Sequence, residues 1–400
     1  MTARLPPDGL AGLDPSWSRL VTAPDHGGRP TTWHLLDTRP DGAPLTLLCV
    51  HGNPSWSYLF RRLCATSSDT IRVLAVDQLD MGFSERTGVR RRLADRIDDL
   101  TSLTDELGLT GPVVTVAHDW GGPVSLGWAL RRRDQLAGVV LLNTAVHQPE
   151  DARAPSLIRL ARSRAMLATA TVRTDAFVRG ALALSRRRPD DGVAAGFLAP
   201  YRSADRRRAI ADFVADIPLE DDHPTAPTLD AIAAGLDQLA DTPALLLWGA
   251  RDLVFGDVYL HDLERRLPHA QVHRYARAGH FVPEDADVAG ATWDWIEAFP
   301  RRDRPPTPVP AAVGAPAPST MTSPPLAPAD GRDGIAVAEV RRDGVSGVAY
   351  DELHRRAREI GDELRAGGVA PGDRVAVVVP PGIDLSACVL GAWRARASGG

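Results

Sequence analysis

Residues 1–300 predict an α/β architecture: a mostly parallel sheet flanked by helices, with a helical cap inserted. Three observations lead there. Short β-branched or Leu-rich runs alternate with helical stretches, the pattern of a sheet covered on both faces. The alternation breaks once, from about 147 to 230, where Ala, Leu and Arg dominate with helical periodicity. Turns carrying Gly, Asp or His follow several strand candidates, and such folds build their sites just beyond strand ends.

The strand candidates are Leu45–Val50, Ile71–Asp77, Val113–Ala117, Gly138–Leu142, Ala244–Trp248 and Gln271–Tyr275. They read as apolar over most of their length, as strands buried on both sides should. Helices are expected over Asp95–Glu106, Pro123–Arg132 and Val288–Phe299. The 147–230 insertion has helical patterns at Ser156–Leu167 and Thr174–Ser185, and reads as a cap over an active site. Residues 301–333 are Pro, Ala and polar residues that cannot bury a core, so a disordered, extended linker is expected. A second segment begins near Gly334, with a strand Ile335–Val340, a helix around Asp351–Arg365, a Pro371-Gly372-Asp373 turn and a strand Arg374–Val379.

Bulk properties exclude several classes. Hydrophobic content of 44% and charged content of 24% suit a globular protein with a proper core. A net charge of -5 gives no electrostatic case for nucleic acid or an anionic membrane. The basic side chains are all Arg, from which nothing functional follows. Cys49, Cys64 and Cys388 have no paired spacing, which points to a reducing compartment. Met1 to Ser16 lack the basic and apolar regions of a signal peptide. No apolar run approaches the roughly 20 residues of a membrane span. A cytoplasmic protein is expected.

The candidate chemistry starts at Ala117-His118-Asp119-Trp120-Gly121-Gly122, between a strand and a helix. Small residues two positions either side of a central nucleophile form a nucleophile elbow. Here the centre is Asp119, and a carboxylate attacking an electrophilic carbon forms a covalent ester. Taken alone, Asp119 reads equally well as a helix N-cap. Its partners tip the balance. Asp252 follows the strand Ala244–Trp248 and His280 follows the last strand, giving the order nucleophile, acid, base. His280 is then the base, and Asp252 fixes its tautomer and stabilises its charged form. Asn53, after the strand Leu45–Val50, and Trp120 carry N–H donors suited to a leaving halide, alkoxide or carboxylate. His51, His118 and His273 lack such context and read as packing or surface residues, as does Trp56.

The segments HGNPSWSYLFRRL (51–63), AHDWGG (117–122) and GHFVPED (279–285) resemble the haloalkane dehalogenases and their relatives within the α/β-hydrolases. The resemblance covers about 300 residues. It implies Asp119 as nucleophile, Asn53 and Trp120 as leaving-group donors, Asp252 as acid, His280 as base, a helical cap, an apolar small-molecule substrate and no cofactor or metal. Family members with the acid at this position often carry a second Trp donor in the cap, whereas residues 147–230 contain no Trp. Epoxide hydrolases share the HDWGG elbow but need two cap tyrosines, and this cap has only Tyr201.

Residues 350–396 resemble the beginning of an AMP-dependent synthetase/ligase, on the stretch Gly368-Val369-Ala370-Pro371-Gly372-Asp373-Arg374-Val375-Ala376. That family's phosphate-binding loop and catalytic residues fall beyond residue 400, so 334–400 is expected to be a truncated, inactive ligase fragment. A dehalogenase-like hydrolase joined to such a ligase resembles the β-lactone decarboxylase fusions of long-chain olefin biosynthesis. The resemblance implies decarboxylation of a cis-β-lactone to a cis-alkene, with other olefin-biosynthesis enzymes as partners. Haloalkane hydrolysis is the alternative, because the triad does not separate the two.

Overall fold

The computed structural model describes residues 1–149, 167–186, 189–220, 222–299, 335–341 and 344–369, with positions 384, 387, 388, 390 and 391 beyond them. The expected linker, the expected helix Ser156–Leu167 apart from its last residue, and the expected turn and strand at 371–379 lie outside the described residues. Two units are present, Met1–Thr307 and Pro308–Gly400.

The first unit is built on eight strands: β1 (Ser18–Pro24), β2 (Pro30–Asp37), β3 (Leu45–Val50), β4 (Ile71–Val76), β5 (Val113–His118), β6 (Leu136–Leu142), β7 (Ala244–Gly249) and β8 (Gln271–Tyr275). Their order across the sheet is β1-β2-β4-β3-β5-β6-β7-β8. From β4 to β8 all pairs are parallel, while β1 and β2 run antiparallel at one end. The six strands expected from apolar runs are present. The hairpin β1–β2 was not expected. β1 is an edge strand with mixed exposure, so its sequence SRLVTAP lacks the continuous apolar run of a central strand. The Asp25 carboxylate closes the hairpin turn by accepting the main-chain N–H groups of Gly27 and Arg29.

β8 departs from the expected burial on both sides. It is the other edge of the sheet and mostly exposed, which is why QVHRY tolerates Gln, His and Arg. β5 is buried at every position, as a central parallel strand requires. Helices Leu93–Glu106, Gly121–Arg131 and Val288–Glu297 match the expected ones within two residues at most ends.

Between β6 and β7 the described chain is helical, with helices at Ala176–Leu182, Asp191–Leu198, Ala204–Ala215 and Ala226–Gly235. This insertion is fastened to the sheet layer by polar contacts. Asp216, just past Ala204–Ala215, accepts the main-chain N–H of Leu93 at 3.0 Å and pairs with Arg92 at 3.2 Å. It therefore caps the first turn of helix Leu93–Glu106 from outside, satisfying an N–H with no partner inside the helix. Arg96 of the same helix stands 3.5 Å above the ring of Phe213, a cation–π contact between sheet layer and cap.

The second unit contains an antiparallel hairpin, Ile335–Arg341 with Gly344–Ala349, followed by helix Tyr350–Ala366. The helix matches expectation, and Leu353 and Ala357 on it are buried.

One ion pair braces the region behind the last strand. Arg61 donates to both oxygens of Glu284, at 2.6 and 2.8 Å, and both side chains are buried. Removing one partner leaves a buried, uncompensated charge. Glu284→Ala is expected to lower unfolding stability in urea by about 3–5 kcal/mol, with the double variant Arg61→Met/Glu284→Leu recovering a substantial part of that loss.

Candidate active site

The site forms where β3, β5, β6 and β7 end. At the end of β5 the chain turns at once into helix Gly121–Arg131, and Asp119 takes φ = 52°, a left-handed conformation costly for a residue with a side chain. The turn closes only because its neighbours are small. A Cβ on Gly121 would lie 2.0 Å from the Val50 carbonyl oxygen. The main-chain N–H of Asp119 donates to the Asn143 carbonyl at 3.1 Å, and the Thr144 hydroxyl donates to the Asp119 carbonyl at 2.6 Å. The elbow is thus tied to the end of β6 on both sides.

The carboxylate of Asp119 is buried and cradled. Oδ1 accepts the main-chain N–H of Asn53 at 2.7 Å, and the N–H of Trp120 also bonds the carboxylate. Gly52 packs directly against it: a Cβ there would lie 2.1 Å from Oδ1 and 2.5 Å from the Asp119 Cβ. Burial raises the Asp119 pKa above the ordinary carboxylate range, against the opposing pull of His280 and the two N–H groups.

His280 Nε2 lies 3.8 Å from Asp119 Oδ2, and His280 Nδ1 lies 2.9 Å from Asp252 Oδ2. Nδ1–H therefore donates to Asp252, and Nε2 faces the Asp119 carboxylate across a gap wider than a direct hydrogen bond. Burial works against charge on His280, but the Asp252 charge and hydrogen bond, with Asp119 behind them, raise its pKa. For Asp252, burial is outweighed by His280 and by the Val254 N–H, so its pKa is lowered. An imidazole between two buried carboxylates can hold a proton and orient it toward Asp119.

The predicted donors are placed differently from one another. Trp120 lines the cavity above Asp119, and its indole N–H takes no partner among the described residues. Asn53 touches Asp119 through its main chain, while its side-chain amide donates to the Ile210 carbonyl of the cap at 3.2 Å. His118 is buried beside His280, 4.7 Å between ring centroids, and donates from Nε2 to the His280 carbonyl. Burial first, then the His280 charge, pushes its pKa down to about 3, so it stays neutral. His51 bonds Gly52 and Gln78, and burial lowers its pKa. Trp56 stacks on Tyr58 and donates to Gly196. These three are supports rather than reagents.

Asn143 escaped the sequence reading. Its side chain accepts the Gly249 N–H at 2.7 Å and donates to the Gly249 and Phe255 carbonyls, fixing the loop that carries Asp252. The available signal was its place at the C-terminal end of a strand, the same position that marked Asp119. Asp285 was also missed. It accepts the N–H groups of Gly279 and Arg186, locking the His280 loop against the cap.

Above Asp119 lies a cavity of about 700 Å³, its open mouth included. Its walls are mainly apolar, with Pro123, Ile217, Leu229, Val254 and Phe255. Phe255 stacks on the His280 ring at 5.9 Å. Polar groups are few: Asp119, Trp120, His147, Gln148 and Tyr259. Among the described residues no cluster of side chains could hold a metal ion, and no helix is long and apolar enough to cross a membrane.

Residues 46–287 match the model of the alpha/beta hydrolase fold family. The chain belongs to that family. Among curated relatives, the cis-3-alkyl-4-alkyloxetan-2-one decarboxylase of Xanthomonas campestris pv. campestris is 37% identical over 262 residues, covering 62% of this chain and 86% of that protein. Haloalkane dehalogenase 2 of Mycobacterium tuberculosis strain H37Rv is 32% identical over 257 residues, covering 63% and 86%. The crystal structure of the haloalkane dehalogenase DatA from Agrobacterium tumefaciens C58 superposes with a TM-score of 0.61 at 20% identity, over 70% of this chain and 96% of DatA, and so shares the fold. This α/β-hydrolase therefore combines the expected architecture with a carboxylate at the elbow.

Two expectations follow from the geometry. In Gly52→Ala the added methyl must displace the Asp119 side chain; turnover is expected to fall at least about 100-fold, with circular dichroism unchanged. The pH dependence of stability isolates the acid–base pair. The raised His280 pKa contributes stability that is complete below its unfolded value, about 6.5, and lost as pH rises through the folded one. The lowered Asp252 pKa contributes above its unfolded value, about 3.9, and is lost as pH falls through the folded one. Asp252→Asn should therefore cost more stability near pH ~5.5, where both contributions are present, than at pH values above the folded His280 pKa, in urea titrations.

Proposed function

We propose that this enzyme decarboxylates cis-3,4-dialkyl oxetan-2-ones, the β-lactones, releasing a cis-alkene and carbon dioxide. The observation that carries the reading is a cradled carboxylate nucleophile, Asp119, facing a mainly apolar cavity with one partnerless N–H donor at Trp120. The greater identity to an oxetan-2-one decarboxylase than to a dehalogenase points the same way.

The chemistry closes without water. Asp119 attacks the ring carbon that bears the ester oxygen, forming a C–O bond as the ring C–O bond breaks. The released oxygen becomes a carboxylate, and Trp120 is placed to donate to it. The carboxylate then leaves as carbon dioxide, its electron pair forms the alkene, and the bond to Asp119 breaks to return the free nucleophile. Inversion at the attacked carbon followed by anti elimination turns a cis ring into a cis-alkene. His280, charged between Asp252 and Asp119, stabilises the carboxylates on both sides of this cycle.

Haloalkane hydrolysis is the second reading, favoured by the partnerless Trp120 N–H as a halide donor. It needs an additional water, activated by His280, to cleave the alkyl ester. Epoxide hydrolysis has no acid to use at Tyr201, which is fully buried and donates to the Ser55 carbonyl. Residues 334–400, read as the start of an AMP-dependent ligase-like domain joined through the linker 301–333, support this reading only by resemblance, because ligases of that class close a β-hydroxy acid into a β-lactone. Such a system makes long-chain olefins in the cytoplasm, in keeping with Cys49, Cys64 and Cys388 as free thiols.

Purified protein given a long-chain cis-β-lactone is expected to form alkene and carbon dioxide, detected by gas chromatography, and Asp119→Ala to form none. Halide release from a 1-bromoalkane with no alkene from the lactone would replace this reading by the second one.

A further inference from the structure

An indole N–H that takes an anion must be left open, so no hydrogen bond within the protein can fix where it points. The Trp120 indole makes none among the described residues. Its direction therefore has to come from packing. Among the described residues one aromatic ring meets the indole. It is Phe213, 5.9 Å away between centroids and tilted by 56°. Phe213 lies on the cap helix Ala204–Ala215, is fully buried, and is not one of the residues that line the cavity.

Phe213 is itself gripped. The Arg96 guanidinium, from helix Leu93–Glu106, stands 3.5 Å from the centre of its ring. Arg96 is buried, and its Nε and Nη1 have no hydrogen-bond partner among the described residues. Burial, then the Arg91 charge, pulls its pKa down to about 10, which leaves it charged at neutral pH. Burying a cation with two unspent N–H groups is costly, and an apolar side chain would cover the ring without that cost. What the charge adds is attraction to the negative face of the ring, which holds the ring's plane.

The same cap helix is fastened on both sides of Phe213. Ile210, a turn before it, accepts the Asn53 amide at 3.2 Å. Asp216, a turn after it, accepts the main-chain N–H of Leu93, at the start of the helix that carries Arg96. The ring is thus set against Trp120 from a fixed base.

We propose that Phe213, held by the Arg96 guanidinium, is a positioning residue for the anion donor: it directs the Trp120 indole N–H, so a cap side chain outside the cavity wall sets how strongly the cavity holds a small anion. The proposal deepens the functional reading by taking Trp120 as the donor to the departing anion. That role is shared by the lactone chemistry, where the anion is a carboxylate, and the haloalkane chemistry, where it is a halide.

The test uses the full chain with isotope-labelled tryptophan, followed by nuclear magnetic resonance. The Trp120 indole signal is identified by its loss in Trp120→Phe. The probes are bromide, cyclopentanecarboxylate and isopropylcyclopentane, the last a neutral molecule of the carboxylate's shape. In the wild type both anions are expected to shift the Trp120 signal. Phe213→Leu, which keeps the Arg96 charge, is expected to weaken both anions about tenfold and the neutral probe by no more than about twofold. Arg96→Met should weaken the anions about threefold, and Arg96→Lys should recover most of that loss.

Unchanged anion binding in Phe213→Leu would overturn the proposal, and so would equal losses on charged and neutral probes. Should Phe213→Leu not fold, Arg96→Met decides: a loss confined to the anions and recovered in Arg96→Lys supports the proposal, and any other result overturns it. A wild-type Trp120 signal that ignores both anions overturns it too. Bromide binding without carboxylate binding keeps the positioning role and assigns the donor to halides. Wild-type protein that binds both anions at Trp120 but makes no alkene from a β-lactone would overturn the decarboxylase reading and leave the positioning role standing.

Discussion

Two carboxylates and one imidazole share a buried site, and the rest of the structure serves to keep that arrangement affordable. Burial alone would drive Asp119 and Asp252 to hold protons and His280 to lose its own. Main-chain donors oppose this at both acids; at Asp252 they and His280 together outweigh burial, while at Asp119 burial still leaves the pKa raised. Asn53 and Trp120 bond Asp119, and Val254 bonds Asp252. Those donors lie in the loops that follow β3, β5 and β7, so the parallel sheet delivers them together at one edge. Asn143 and Asp285 then hold the loops in place with side chains rather than with a larger core.

The central sheet was legible because its strands are buried on both faces. LTLLCV and VVTVAH are mostly apolar or small residues, so each reads as an unbroken apolar run. The hairpin β1–β2 was illegible for the converse reason: exposure at an edge lets Ser, Arg, Thr and Pro in. Asp119, Asp252 and His280 could be picked out because each lies within a few residues of a strand's end. The cavity wall could not. Gln148, Ile217, Leu229 and Tyr259 come from four separate segments, and each reads locally as an ordinary helix or loop residue.

Asn53 shows where residue type is not enough. Its amide is a sound donor by chemistry, and its position after β3 is the expected one. Only the fold reveals that the cap carbonyl of Ile210, 157 residues away, takes that donor. The main-chain N–H of the same residue, which sequence reasoning does not weigh, is the group that touches Asp119. Tyr201 is a parallel case, its hydroxyl spent on Ser55 and its ring buried away from the cavity.

The double attachment of Asn53 has a mechanical consequence. One residue grips Asp119 Oδ1 with its backbone and the roof of the chamber with its side chain. Any displacement of the roof would pull on the same peptide that steadies Asp119. The placement of the roof and the placement of the Asp119 carboxylate are therefore mechanically linked through one residue.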